Sequence, residues 1–291
     1  LIRTTKKTAL SYWVLGGDIN GAMYGALQLA EYIQSDGLNG NYEGSESPFV
    51  LKRGIKYNLP LDAKAPTYYA GNGGTSHKVA IEHVWDLSFW KEYFDEMARN
   101  RFNVISLWSP HPFTSMLDME DEYPGIAIED VEGYNGFFKK MSITEKIKFW
   151  QDVMSHAKDR GFEIYFCTWN IFLWNADGKY GLTEDHKADQ KATLDYLKKC
   201  TYKFLETYPN LNGLGVTAGE NLGFDENSKK IDWTWAAYGE GFDEFAKAHP
   251  ERKLTFFHRQ HQGDISDIIE KFGPLHDAEN VTLDASFKYA K

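Results

Sequence analysis

A (β/α) barrel is the fold this sequence predicts, and three observations predict it. Six strand-like segments alternate with helix-like ones from residue 49 onward. Those strands are nearly continuously apolar, as in a parallel sheet buried on both faces. Helix-to-strand connections are short and plain, whereas strand-to-helix connections are long and rich in polar and aromatic residues. A barrel that builds its site from loops at the carboxyl ends of its strands shows that one-sided elaboration. A doubly wound sheet shares it, but no glycine-rich phosphate loop follows the first strand. The class expected is therefore α/β: a (β/α)8 TIM-type barrel, truncated after the sixth strand and preceded by the end of a small α/β domain.

Residues 1–48 form the leading unit and its linker. "ALSYWVLGG" reads as a strand and "NGAMYGALQLAEYIQ" as a helix with apolar positions at Met23, Leu27, Ala30 and Ile33. "SDGLNGNYEGSESP" (35–48) is Gly/Ser/Asn-rich and reads as the linker. The barrel then occupies 49–291. Its strands are expected at 49–61, 103–109, 163–170, 211–220, 253–259 and 280–287. Helices are expected at 88–102, capped by Ser88, and at 142–162, with a Ser142/Glu145 capping-box pattern and a Gly161 stop. Further helices follow at 191–209, 235–250 and 264–273. An eight-stranded barrel needs two more strands, which the reading assigns to sequence beyond Lys291.

Composition limits the function classes. The net charge of −10 repels nucleic acid and anionic membranes, so neither is an expected partner. No segment approaches the roughly 18 apolar residues of a membrane span. Aromatic content is high at 15%, and aromatic faces suit both cores and sugar rings. Cys167 and Cys200 are too few for a disulfide framework and read as two reduced thiols. The chain starts at Leu1 without a signal-peptide pattern, which reads as a processed or excised piece.

The carboxyl ends of the strands collect a polar, aromatic-walled set. The first strand brings Lys56, Asn58 and Asp62; the second brings Trp108, His111 and Phe113; the third brings Thr168, Trp169 and Asn170, followed by Trp174. Glu220 and Asn221 follow the fourth, His258, Arg259 and His261 the fifth, and Asp284 and Lys288 the sixth. Such a crater suits a hydroxyl-rich ligand. Glu220 fits a general acid, since protonating a glycosidic oxygen needs a carboxyl group whose confinement raises its pKa. A loop cap or an ion pair with Arg259 is the alternative reading. Glycoside hydrolysis generally needs a second carboxylate, and Asp284 is the in-chain candidate, with a partner beyond Lys291 as the other. The histidines lack the spacing of a metal set; no metal or cofactor is expected. The acidic run 118–132 reads as a solvated loop, with calcium binding as its alternative.

The stretches "GGDINGAMYGALQLAE", "RGIKYNLPLDA" and "GVTAGEN" resemble α-glucuronidase and hexosaminidase-type glycoside hydrolases, families 67, 115, 84 and 20. Gly17, Asp18, Gly21, Tyr24 and Gly25 resemble the last strand and helix of the domain that precedes their barrel. "RGIKYN" resembles the opening of the barrel's first strand. The resemblance implies Glu220 as the acid, because the family 67 acid follows the fourth strand in a similar run. Two departures stand beside it: Gly219 replaces the acidic neighbour of substrate-assisted hexosaminidases, and Asp284 and Lys288 stand in a different context from the family 67 base. Lys56, Arg259 and Lys288 are candidate receptors for a uronate carboxylate, with internal ion pairs as the alternative. The resemblance also implies a periplasmic or secreted bacterial protein acting on a carbohydrate substrate. A homodimer is left open. A non-catalytic carbohydrate-binding barrel and a metal-dependent barrel hydrolase are the competing classes.

Overall fold

A computed structural model describes residues 1–6, 10–38, 40–65, 67, 76–169, 171–219 and 222–287. The chain opens with an antiparallel hairpin, β1 (Ile2–Lys6) and β2 (Leu10–Val14), and helix α1 (Ile19–Asp36). Strand β1 was not expected, because "IRTTK" carries almost no apolar signal. The segment expected to be a linker is fastened to this hairpin. Gly44 bridges Ile2, and buried Tyr42 exchanges two 2.9 Å hydrogen bonds with Thr4 Oγ1. Helix α1 buries no residue. It meets the rest of the molecule through half-buried Met23, packed against the core, and through polar contacts, with Tyr24 donating to the Phe102 carbonyl at 3.2 Å and Arg101 pairing with Glu31 at 3.1 Å.

Next come β3 (Gly54–Asn58), α2 (Ser76–Val84), α3 (Leu87–Arg99), β4 (Val104–Trp108) and a short α4 (Phe113–Met116). A small hairpin, β5 (Val131–Glu132) with β6 (Phe138–Lys139), precedes α5 (Ile143–Asp159). The chain continues through β7 (Glu163–Trp169), α6 (Lys191–Thr207), β8 (Gly213–Thr217) and α7 (Asn227–Thr234). A π-helical turn at Trp235–Gly239 runs into α8 (Glu240–Ala248). Strand β9 (Leu254–Gln260), α9 (Ile265–His276) and β10 (Val281–Phe287) follow.

The six expected barrel strands form one parallel sheet in the order β10-β9-β8-β7-β4-β3. Helical periodicity builds the layer that covers it. Trp90, Phe94, Met97 and Ala98 of α3 fall on one stripe, as do Phe149, Trp150, Val153, Met154 and Ala157 of α5. They pack with Ile105, Leu107, Ile164, Phe166, Val216 and Phe256, the helix-facing residues of the strands. Each such side chain, fully buried, contributes about 1.5–3 kcal/mol. Central strand β8 is buried throughout, while the edge strands β3 and β10 are largely exposed.

Two local expectations change. The α3 cap is Asp86, not Ser88: the Asp86 carboxylate accepts the Ser88 backbone N–H at 2.8 Å. The acidic run 118–132 is not simply solvated either, because Met119, Ile126, Ile128 and Val131 are buried. The α5 capping box forms as read, with Ser142 and Glu145 exchanging side-chain-to-backbone hydrogen bonds.

Candidate active site

Side chains on a strand alternate between faces, and the register here sorts the expected site residues. Lys56 pairs with Ser106, Ser106 with Tyr165, Tyr165 with Gly213 and Gly213 with Thr255. One layer nearer the carboxyl ends, Asn58, Trp108, Cys167, Gly215, Phe257 and Asp284 stand in a row across all six strands. These positions face away from the helices.

On that face a second apolar cluster forms, separate from the helix-packed core. Trp108, Cys167 and Trp169 compose it, with Phe172 and Phe257 packed alongside. The Trp108 and Trp169 rings lie 5.7 Å apart at 51°. Trp108 Nε1 donates to Ser106 Oγ at 2.6 Å, and that oxygen is 3.2 Å from Cys167 Sγ, so the indole is held from below. Burial pushes the Cys167 thiol up; it is an inert wall. Above the indole stand two cations. Lys56 Nζ is 4.3 Å from the Trp108 ring centre, and the Arg259 guanidinium carbon is 5.7 Å from it. Desolvation first, and then the Arg259 charge, lowers the Lys56 pKa. An anion placed between the two relieves that repulsion.

Gly213 and Gly215 make room for this arrangement. A Cβ on Gly215 would lie 2.2 Å from the Phe257 ring, and one on Gly213 would lie 1.8 Å from the Thr255 carbonyl oxygen. Thr217, opposite Trp169, is a residue that the sequence reading missed. Its hydroxyl is buried and has no hydrogen-bond partner among the described residues.

The structure removes several expected residues from the open face. His258 pairs with Val216, on the helix-facing side, and is fully buried with its ring 5.3 Å from Phe272. His111 is equally buried, between Phe113 and Tyr196, with Nε2 3.4 Å from the Tyr196 hydroxyl. Burial lowers His258 to about 4 and His111 to about 3, so both imidazoles are neutral and inward. Thr168 donates to the Pro110 carbonyl at 2.7 Å. Asp62 is buried and accepts the Lys64 and Glu132 backbone N–H groups at 2.8 and 2.7 Å. It closes a turn.

Asp284 is exposed on the edge strand β10 and pairs with Phe257. Ser286, not Asp284, stands beside Arg259, so the carboxylate lies one layer deeper than the strand ends. Asn58 is exposed on the other edge strand. Glu220, Asn221, Asn170 and Lys288 lie outside the described residues. Their described chain neighbours are Trp169, Ile171, Gly219, Leu222 and Phe287, of which Leu222 is fully buried and Phe287 exposed. Among the described residues no group of three or more His, Cys, Asp or Glu side chains is arranged to hold a metal ion. No described helix is long and apolar enough to cross a membrane.

Neither a scan against protein-family models nor a search of curated proteins finds a match. Solved structures do match. A GH138 enzyme targeting pectin rhamnogalacturonan II aligns with a TM-score of 0.75 at 23% identity, over 98% of this chain and 39% of that one. A GH20 β-N-acetylhexosaminidase from Streptomyces coelicolor A3(2) aligns at 0.52 and 10% identity, over 98% of this chain and 60% of that one. A β-N-acetylhexosaminidase from Bacteroides fragilis NCTC 9343 gives 0.51 and 14%, with 97% and 54% covered. At these identities the likeness establishes a shared TIM-like α/β fold. This chain spans well under two thirds of the length of each of the three.

Proposed function

We propose that this chain is part of a glycoside hydrolase acting on an acidic poly- or oligosaccharide, with Glu220 as general acid. The observation that carries the reading is the Trp108–Trp169 pair, 6% and 9% exposed and flanked by Lys56 and Arg259, on the sheet face turned away from the helices. Ring faces stack on the C–H surfaces of a sugar. Paired cations beside such a ring suit a uronate carboxylate, in keeping with the α-glucuronidase resemblance. Glu220 follows β8 in sequence, three residues after Thr217, and Thr217 stands opposite Trp169 in the β7–β8 ladder. The fold neighbours are glycoside hydrolases by name, which supports the class.

The same reading takes 1–48 as the end of a leading α/β domain and 49–291 as a barrel unit. Two further strands joining β10 to β3 complete a (β/α)8 barrel. Asp284 serves as the second carboxylate if closure enfolds the β10 edge, and a residue on an added strand serves otherwise. The competing reading is a non-catalytic carbohydrate-binding barrel. It is favoured by the depth of Asp284, one layer beneath the strand ends.

The test is hydrolysis of matched neutral and uronate-containing oligosaccharides by the full-length protein and its Glu220→Gln variant. A positioned acid contributes about a hundredfold or more in rate, and a loss of that size with retained calorimetric binding is expected. Unchanged turnover in the variant removes Glu220 from the mechanism. Binding that is lost in Trp169→Ala, with no hydrolysis by the unmodified protein, gives the answer to the binding module.

A further inference from the structure

We infer that one short stretch, Glu184 to His186, positions both walls of the candidate site: the aromatic segment Phe172–Trp174 after β7 and Leu222–Phe224 after β8. The kinetic consequence rests on the hydrolase reading above; the structural clasp does not. Glu184 Oε1 accepts the Leu173 backbone N–H at 2.5 Å, and the Glu184 N–H is held by Asp177 Oδ1 at 2.9 Å. Leu173 is fully buried; it stands in sequence between Phe172, which packs against the Trp108–Cys167–Trp169 cluster, and Trp174, whose ring is 5.5 Å from that of Phe172. The Glu184 carboxylate therefore fixes the backbone from which the platform's edge projects.

Two residues on, the imidazole of His186 lies against the other wall. A Cβ built on Gly223 would meet His186 Cε1 at 2.2 Å and both ring nitrogens at 2.6 Å, so the ring lies directly over that backbone. It also meets the Phe224 ring edge-on, with centroids 5.7 Å apart at 75°. The Leu222 N–H reaches back to the Gly219 carbonyl at 3.2 Å, and the Phe224 N–H to the Leu222 carbonyl at 2.7 Å. Residues 220 and 221 lie just before these positions in sequence, and His186 packs on Gly223 and Phe224. A glycine at 223 is what admits the ring. Both residues are positioning residues, acting through Leu173 and Gly223 rather than on the sugar.

The experiment is a set of variants in the full-length protein, assayed by amide hydrogen exchange and by steady-state kinetics. His186→Ala is expected to speed exchange at 222–224 and to lower kcat about tenfold with KM little changed. Glu184→Ala is expected to speed exchange at Leu173 and to raise KM about tenfold with kcat little changed. His186→Phe and Glu184→Gln retain the ring and the acceptor oxygen and should stay near the parent in both assays. Gly223→Ala should match His186→Ala, and the double variant should be no worse than either, because the two changes break one contact. If His186→Ala does not fold, Gly223→Ala carries the same test. Unchanged exchange at 222–224, or identical kinetic effects at both positions, overturns the clasp. A fully active Glu220→Gln overturns the hydrolase reading instead and leaves the exchange result standing.

Discussion

Lys56 Nζ lies 4.3 Å from the centre of the Trp108 ring, and the Arg259 guanidinium approaches the same ring from β9 at 5.7 Å. Two cations over one indole repel each other, and the Lys56 pKa is lowered as a result of desolvation and then of that charge. Replacing Lys56 or Arg259 by Met should raise KM for uronate-containing oligosaccharides about tenfold, the equivalent of about 1.4 kcal/mol of binding. Neutral oligosaccharides should be unaffected. Raising the ionic strength should weaken the acidic substrates more in the parent than in either variant, which keeps one of the two cations. An equal loss on neutral and acidic sugars would point to disturbed packing of Trp108 rather than to charge recognition.

The glycines of β8 differ in what they make room for. An alanine at 213 would place its Cβ 1.8 Å from the Thr255 carbonyl oxygen, which is fixed in the β8–β9 ladder. At 215 the obstacle is the Phe257 ring, a side chain. Overpacking of this kind costs about 1–3 kcal/mol. Gly215→Ala should fall in that range and recover in part when Phe257 becomes Leu. Gly213→Ala should exceed it and not recover. Urea unfolding of the two glycine variants, of Phe257→Leu and of the two double variants checks this, and additive effects at 215 and 257 would show that the two do not share one space.

Helix α5 depends on its capping box. Ser142 Oγ accepts the Glu145 N–H at 3.2 Å, and Glu145 accepts the Ser142 N–H at 2.7 Å. Ser142→Ala should cost about 1 kcal/mol, read as a lower urea midpoint with an unchanged slope. Glu145→Gln, which keeps an acceptor oxygen, should cost less. Equal losses would mean that the Glu145 charge at the helix N-terminus contributes as much as the bond from Ser142.

The parallel sheet and its main helices were legible because their signal is local. Apolar runs of strand length, the stripes of α3 and α5, and the Ser142/Glu145 spacing are all contained within a few turns of chain. The elements that escaped have no such signal. Strand β1 is polar, β5 and β6 are two residues each, and the π-helical turn is a shift in hydrogen bonding rather than in composition. Of the candidate site, Trp108, Lys56 and Arg259 were legible from strand ends alone. His258 was misplaced although the signal existed: it adjoins Arg259 on one strand, so the two cannot share a face. Glu184 and His186 sit in a long aperiodic excursion, and only tertiary contact reveals what they hold.

The two buried histidines make stability depend on pH with a definite sign. Burial lowers His258 from 6.5 to about 4 and His111 to about 3, so the folded protein leaves both imidazoles unprotonated where the unfolded chain protonates them. The unfolded state therefore binds more protons below pH 6.5, and stability falls as the pH drops. For His258 the loss runs from about pH 6.5 to about 4; for His111 it continues to about 3. One pKa unit corresponds to about 1.4 kcal/mol, so His258 alone removes up to about 3 kcal/mol across its window. His258→Leu keeps an apolar side chain against Phe272 and eliminates that titration. Urea unfolding at pH 7, 5 and 4 should show the parent losing stability faster than the variant, with the gap widening most between pH 6 and 4. Parallel curves would mean that His258 takes up its proton in the fold, and that the burial holding it neutral is not maintained in solution.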